Sequence, residues 1–332
     1  MLIPINIDNG IKFRDLNIRT RNFKSLNLKE SDIEDFLREN VDIIFGDEES
    51  LLIVGQQVRN KKKGRSDLTA IDSNGNMVLI EIKRDIDDIE QRKEPFEFQA
   101  IRYAASYAKI EDTDELVDKT FAPYIENYKE EFDLGDLTPY EKGKRIVDDF
   151  LEKNGASNSF NRKQRIILVA SSFDSQTLSA VAWLISNRVD ISCFELIPMN
   201  IGEEIFLKIN KILPPQSLED FYVEIDDNSI KNKLTNSPKI TRTYLPRMDK
   251  LFEWEIIRSG DIVEIKNSIG SEAVAIDSEY VEYKGEKMTF NQWGEEVTKW
   301  SAINIYEWTI IKGYTKTLDQ LRREKLIELK NE

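Results

Sequence analysis

Histidine is absent from the 332 residues, and cysteine occurs once, at Cys193. The first absence excludes Ser-His-Asp and Cys-His nucleophiles, histidine-metal nucleases and histidine-bound zinc. The second leaves no disulfide framework and no cysteine zinc site, and an intracellular, cytoplasmic location is the default expectation. Long apolar runs are missing too. None approaches the ~20 residues that a membrane-spanning helix needs, so no membrane partner is expected. MLIPINIDNGIKF lacks a basic n-region and a continuous apolar stretch, and no signal peptide is expected. Positive charge is in deficit: the formal net charge is −14. That argues against broad non-specific nucleic-acid binding but leaves room for a local basic groove. KKKGR at 61–65 is the one dense basic cluster.

What remains is a soluble globular composition, 40% hydrophobic and 33% charged. The length points to two domains. Any catalysis must run on carboxylates, lysine, tyrosine, serine or a carboxylate-bound metal. Oxygen ligands select Mg²⁺, Mn²⁺ or Ca²⁺ over zinc.

A first helix is expected at about 28–45, with Asn27 and Glu30 as a capping box. LLIVGQQV (51–58), DLTAIDS and MVLIEIK read as strands. MVLIEI is apolar on both faces, as in a central strand covered by helices. A helix at about 95–109 carries Gln99 and Tyr103 at i, i+4, on one face. A charged helical insertion spans 111–163. RIILVASS, a helix capped by Asp174, and VDISCFELIPM then complete a β-α-β run. The expected organisation is a mixed α/β domain at 1–213, a polar linker or arm at 214–247, and a small α+β domain at 248–332. In the latter, Thr289/Gln292 and Thr317/Gln320 have capping-box spacing.

The stretch GRSDLTAIDSNGNMVLIEIKRD (64–85) poses a register question. A two-residue Asn74-Gly75 loop pairs Ser73 with Asn76 and puts Asp67 and Glu81 on opposite faces. A three-residue loop with Gly75 left-handed pairs Asp72 with Asn76. Asp67 then faces Glu81, and Lys83 shares that face by period two. The sequence permits both turns, and only the second makes a site. Converging Asp67 and Glu81 carboxylates, with the Ile82 carbonyl between Glu81 and Lys83, suit Mg²⁺. Lys83 is positioned to hold a water or offset phosphate charge, and Gln99 to orient a ligand. Glu34, on the first helix, is a further candidate carboxylate. Lys61, Lys62, Lys63, Arg65 and Arg102 are candidate phosphate contacts.

Ser66-Asp67, then Glu81-Ile82-Lys83, then QAIRY at 99–103 resemble the PD-(D/E)XK nuclease superfamily over about residues 24–213. The family's proline is Ser66 here. The resemblance implies a restriction-endonuclease-like mixed sheet flanked by helices. It also implies Asp67 and Glu81 as metal ligands, Lys83 as the catalytic lysine, and Gln99 and Tyr103 as the helix motif of the RecB-like branch. Glu34 matches the first-helix acid by position. The implied activity is Mg²⁺- (or Mn²⁺-) dependent hydrolysis of DNA in restriction or antiphage defence; a non-catalytic nuclease fold that binds DNA or a partner is the alternative. Double-strand cutting from one site per chain would favour a homodimer. Residues 248–322, with Tyr306 and Trp308 close together, resemble the restriction enzyme adenine methylase associated domain, which implies a DNA-reading accessory unit. Buried tryptophans Trp293, Trp300 and Trp308 are expected to form that unit's core.

Overall fold

The computed structural model describes residues 5–7, 10–14, 16–59, 64–91, 94–215 and 245–331. Lys61, Lys62, Lys63 and most of the 214–247 segment lie outside the described residues.

In chain order, β1 (Ile5–Asn6), β2 (Lys12–Phe13) and β3 (Ile18–Thr20) lead to α1 (Glu30–Glu39) and α2 (Asp42–Phe45). β4 (Leu51–Arg59), β5 (Arg65–Asp72) and β6 (Met77–Ile82) follow. Next come α3 (Ile86–Glu90), α4 (Phe96–Tyr107), α5 (Thr113–Leu116), α6 (Ala122–Asn127) and α7 (Pro139–Lys153). β7 (Gln164–Ala170), α8 (Ser175–Ser186), β8 (Ile191–Ile201) and β9 (Glu204–Leu213) close the first unit. The C-terminal unit holds α9 (Met248–Glu253), β10 (Ile262–Ile265), β11 (Ala273–Ala275), β12 (Tyr280–Tyr283) and β13 (Glu286–Thr289). It ends with α10 (Phe290–Thr298), α11 (Ile305–Trp308), β14 (Thr309–Ile311) and α12 (Leu318–Asn331).

The result is a mixed α/β architecture. One sheet runs β3-β8-β7-β6-β5-β4, with β9 also paired to β8. β4-β5-β6 are antiparallel, while β6-β7-β8 are parallel. β6 is central and buried along its whole length, as its unbroken apolar run demands. α4 packs on β5, β6 and β7, and α1 packs on β5 and β6. A separate antiparallel sheet, β13-β12-β11-β10-β14, forms the C-terminal unit.

The first helix differs from its expected form. It starts at Glu30 and stops at Glu39, and Lys29 N–H donates to Asp32 Oδ2 at 2.7 Å. Asn27 is not its cap: it takes a left-handed φ of 58° to close the preceding 3₁₀ turn, a conformation asparagine tolerates. Asn40 ends the helix by donating its side-chain amide to Phe36 O at 2.9 Å. β9 and β3, which the sequence did not announce, extend the sheet beyond β8.

The hairpin between β5 and β6 has the three-residue form. Asp72 N–H donates to Asn76 O at 3.0 Å, and Gly75 has φ of 80°. Asp72 Oδ1 also accepts from Asn74 and Asn76 N–H, each at 2.9 Å, which secures the loop. A Cβ on Gly75 would meet Ala156 O and Phe160 N at 3.3 Å. Gly75→Ala should therefore destabilise by about 1–2 kcal/mol through strain and crowding. An unchanged urea midpoint would refute that account.

The C-terminal unit is joined to the first by more than a linker. Leu51 and Ala302 exchange backbone bonds, Leu51 N–H to Ala302 O at 3.0 Å and Ala302 N–H to Leu51 O at 3.1 Å. Trp300 sits edge-on between Phe150 and Trp308, with ring centroids 5.0 Å from each. Trp293, Trp300 and Trp308 are all buried, as the core reading expects. Tyr306 donates to Asp47 Oδ2 at 2.9 Å and accepts from Met248 N–H at 3.0 Å. Both capping boxes form: Gln292 and Gln320 N–H donate to Thr289 and Thr317 hydroxyls, and each threonine N–H donates back.

Candidate functional site

The β5–β6 register runs Leu68↔Ile80 to Ile71↔Met77, so Asp67 lies opposite Glu81 on one face. Lys83 follows at period two. Beyond Leu68↔Ile80, Ile82 N–H donates to Asp67 Oδ2 at 2.7 Å, a side-chain bond at the strand end. Three carboxylates are buried here: Glu34 (2% exposed), Asp67 (6%) and Glu81 (0%). A single cation is buried with them, Lys83 at 1%.

Each carboxylate is held from a different element. Gln99, on α4, donates to Glu81 Oε2 at 3.1 Å. Glu34, on α1, accepts from Gln57 Nε2, which also approaches Asp67 Oδ1 at 3.4 Å. The Lys83 ammonium donates to Glu30 Oε1 at 2.8 Å and to Ile82 O, and lies 4.0 Å from Asp67 Oδ2. Glu34, Asp67, Ile82 and Lys83 are thus linked with Gln57, while Gln99 is tied to Glu81, which shares the Asp67 face by register.

The remaining candidates make other contacts. Tyr103 is buried in α4, under the Arg102 guanidinium. The hydroxyl tied to β5 belongs to Tyr107, one turn further on; it accepts from Thr69 at 2.8 Å and lies 2.8 Å from Ser66 Oγ. Burial, chiefly, with a contribution from the Glu81 charge, pushes Tyr107 up to about 12. Arg102 is exposed and pairs with Glu94 at 2.8 Å. Arg65, also exposed, reaches Gln57 Oε1 at 3.4 Å.

Sequence reasoning missed four residues. Glu30 is one helical turn before Glu34, so their shared face was readable at i, i+4. Gln57, on β4, lies across from Asp67 on β5 with φ of 51°, an uncommon left-handed conformation for a strand residue. A polar Gln-Gln pair ending an apolar strand was its signal. Tyr107 repeats the i, i+4 spacing of Gln99 and Tyr103. Asp85 is buried and accepts from Phe23 N–H at 3.1 Å, Lys24 N–H at 3.0 Å and Ser171 Oγ at 2.8 Å. It ties the segment before α1 to the end of β7, and nothing local marked it.

Glu34 is not the solvated helix acid that its surface-like helix suggests. Burial, then the Asp67 charge, raises it to about 7, and the Gln57 hydrogen bond only partly offsets them. Half-buried Glu295, facing Asp42, is raised to about 8 by the same two causes. Both groups fold best protonated. Their contribution is complete below the unfolded value near 4.5 and is lost as pH rises through about 7 and about 8. Melting temperature in EDTA should therefore fall between pH 5 and pH 9. Glu34→Gln and Glu295→Gln should each flatten that slope, with a ceiling of about 3 kcal/mol for Glu34. A wild-type slope that neither substitution alters would refute both assignments.

Among the described residues no three carboxylate or thiol side chains stand in an arrangement that could hold a metal ion. Cys193 is buried and pushed up to about 12 by that burial, an inert thiol. No described helix is long and apolar enough to cross a membrane. No protein-family model matches the chain, and comparison with curated proteins and with solved structures returns no significant match.

Proposed function

We propose that this chain is a metal-dependent DNA endonuclease of a restriction or antiphage type, using Mg²⁺ or Mn²⁺. The observation that carries the reading is the β5–β6 strand end, where buried Asp67, Glu81 and Lys83 share one face by register and the Lys83 ammonium lies 4.0 Å from Asp67 Oδ2. The PD-(D/E)XK fold assignment is supported by the sheet order, with antiparallel β4-β5-β6, parallel β7 and β8, and α4 following the Glu-Ile-Lys strand.

The donor set suits a hard cation. The Lys83 ammonium already lies among oxygens of Ile82, Glu30 and Asp67. Glu34 Oε1 is buried with no hydrogen-bond partner. Asp67 and Glu81 beside a Lys83 already paired with Glu30 leave negative charge that a divalent cation would neutralise. When bound, such a cation supplies Lewis-acid activation of phosphate and water. Asp67 and Glu81 would hold it, with the Ile82 carbonyl and Glu34 as further donors. Gln99 fixes the Glu81 carboxylate, and Glu30 fixes the Lys83 ammonium, the positive charge available to a phosphate. Exposed Arg65 and Arg102 are available for backbone phosphates. The C-terminal sheet, with its two-residue Lys284-Gly285 hairpin, supports a DNA-reading unit.

A second reading is a nuclease fold that binds DNA or a partner without turnover. It is favoured by the lack, among the described residues, of three acids arranged to hold a metal. The two are separated by a cleavage panel of unmodified and modified DNA with Mg²⁺ and Mn²⁺, run beside Lys83→Ala. Equal rates of product release by wild type and variant exclude the nuclease site. DNA binding without any metal-dependent product selects the second reading.

A further inference from the structure

Gln57 is exposed, yet its side chain reaches two buried acids from a backbone conformation that glutamine rarely takes. Its φ of 51° is left-handed, within β4 and just past a register shift between Ile53 and Gly55. Contact between Cβ and the following carbonyl disfavours that region for any residue but glycine, with asparagine and aspartate as occasional occupants. Such strain persists only where the surroundings over-determine it, and it collects at functional sites.

The surroundings here are charged groups on three sides. Gln57 Nε2 donates to Glu34 Oε2 at 2.5 Å and approaches Asp67 Oδ1 at 3.4 Å. Arg65 donates to Gln57 Oε1 at 3.4 Å. The amide orientation follows from these neighbours. Carboxyl oxygens call for a donor and a guanidinium has no acceptor, so the NH₂ end faces inward and the carbonyl outward. One amide nitrogen therefore bridges an acid of α1 and an acid of β5, 2% and 6% exposed. With Glu34 Oε2 anchored in this way, Glu34 Oε1 is buried without a hydrogen-bond partner. A buried oxygen in that condition calls for a ligand.

We infer that Gln57 is a positioning residue: it holds the Glu34 carboxyl beside Asp67, so that one divalent cation can draw on both. The role rests on the nuclease reading of the β5–β6 strand end. Gln57 itself neither ligates the cation nor meets the substrate; it acts through Glu34 and Asp67. Without its amide, two acids that repel each other lose the donor between them, and the cost of ordering them falls on the cation.

Melting of the full chain, titrated with Mg²⁺ and separately with Mn²⁺, tests this on wild type and Gln57→Gly. Glycine accepts the left-handed φ and removes the amide. In EDTA the variant should melt no lower than wild type, because relief of the backbone offsets the lost hydrogen bonds. The metal concentration that gives half the thermal shift should rise by about 10–100-fold. In a Glu34→Gln background the same substitution should raise it little further, because the carboxylate it positions is already gone. An equal half-shift concentration in wild type and Gln57→Gly overturns this role alone. So does a lower melting point in EDTA with unchanged metal demand, the mark of a purely structural tie, or a full further rise in the Glu34→Gln background. A wild type that neither shifts with metal nor cuts DNA overturns the nuclease reading and this role together.

Discussion

Asp67→Asn should fold, fail to respond to Mg²⁺, and lose metal-dependent DNA cleavage by on the order of 10²–10³-fold or more. Folding should survive because an asparagine carbonyl can still accept from Ile82 N–H, the bond of 2.7 Å that closes the strand end. Removing the charge also relieves Glu34, whose raised value owes part to Asp67. In EDTA the variant should therefore melt no lower than wild type. The difference should appear with metal. A site-bound cation at a hundred times its Kd stabilises the native state by about 2.7 kcal/mol, and Asp67→Asn should forfeit that gain. Reading melting temperature and cleavage together separates the outcomes. A wild-type protein that neither gains stability nor cuts favours the binding-only reading. A variant that cuts like wild type removes Asp67 from the site.

Arg322→Met should cost about 3–5 kcal/mol, the largest stability effect expected of any single change considered. Arg322 is 1% exposed and clamps three parts of the chain. Its guanidinium makes a forked pair with Glu48, at 2.8 Å to each oxygen, and meets Asp319 Oδ1 at 2.7 Å. It also donates to Pro246 O at 3.2 Å and stacks 3.9 Å from the Tyr306 ring centroid. Methionine fills similar space but strands the Glu48 carboxylate, itself buried. Most of the cost lies in that uncompensated charge, so adding Glu48→Gln should recover part of it. Urea unfolding of the single and double variants measures this. A single variant within about 1 kcal/mol of wild type would show that the pair does not hold the units together.

Part of this molecule was legible from amino-acid order. The alternation of DLTAIDS, the unbroken apolar run of MVLIEI and the Asp174, Thr289 and Thr317 caps are local signals, and each element formed where expected. The hairpin was half legible. Asn74-Gly75 announced a turn, yet two registers remained open, because loop length depends on whether Gly75 adopts the left-handed region. The packed segment at 156–161 and the Asp72 side chain decide that.

The first helix shows where local reading fails. Asn27 and Glu30 have the spacing of a cap, but Asn27 closes the turn before the helix and Glu30 turns inward to Lys83. Glu34 looks like a surface acid on a charged helix, and only the docking of α1 on β5 and β6 buries it beside Asp67. Gln57 and Asp85 act across 10 and 62 residues of chain, on Asp67 and on Phe23 N–H. Tyr306, read as a member of an appended unit, bonds that unit to Asp47 of the first, while Trp308 packs edge-on against Trp300 within its own unit.

By itself, then, the sequence determined the mixed α/β class, the chemistry open to a histidine-free chain, and the candidacy of Asp67, Glu81, Lys83 and Gln99. Those are set by composition and by spacing along single strands and helices. The tertiary structure decided the hairpin register, the burial that raises Glu34, the Glu30–Lys83 pairing and the union of the two sheets. Each of these depends on contacts between residues distant in the chain, whose desolvation and charge no local pattern encodes.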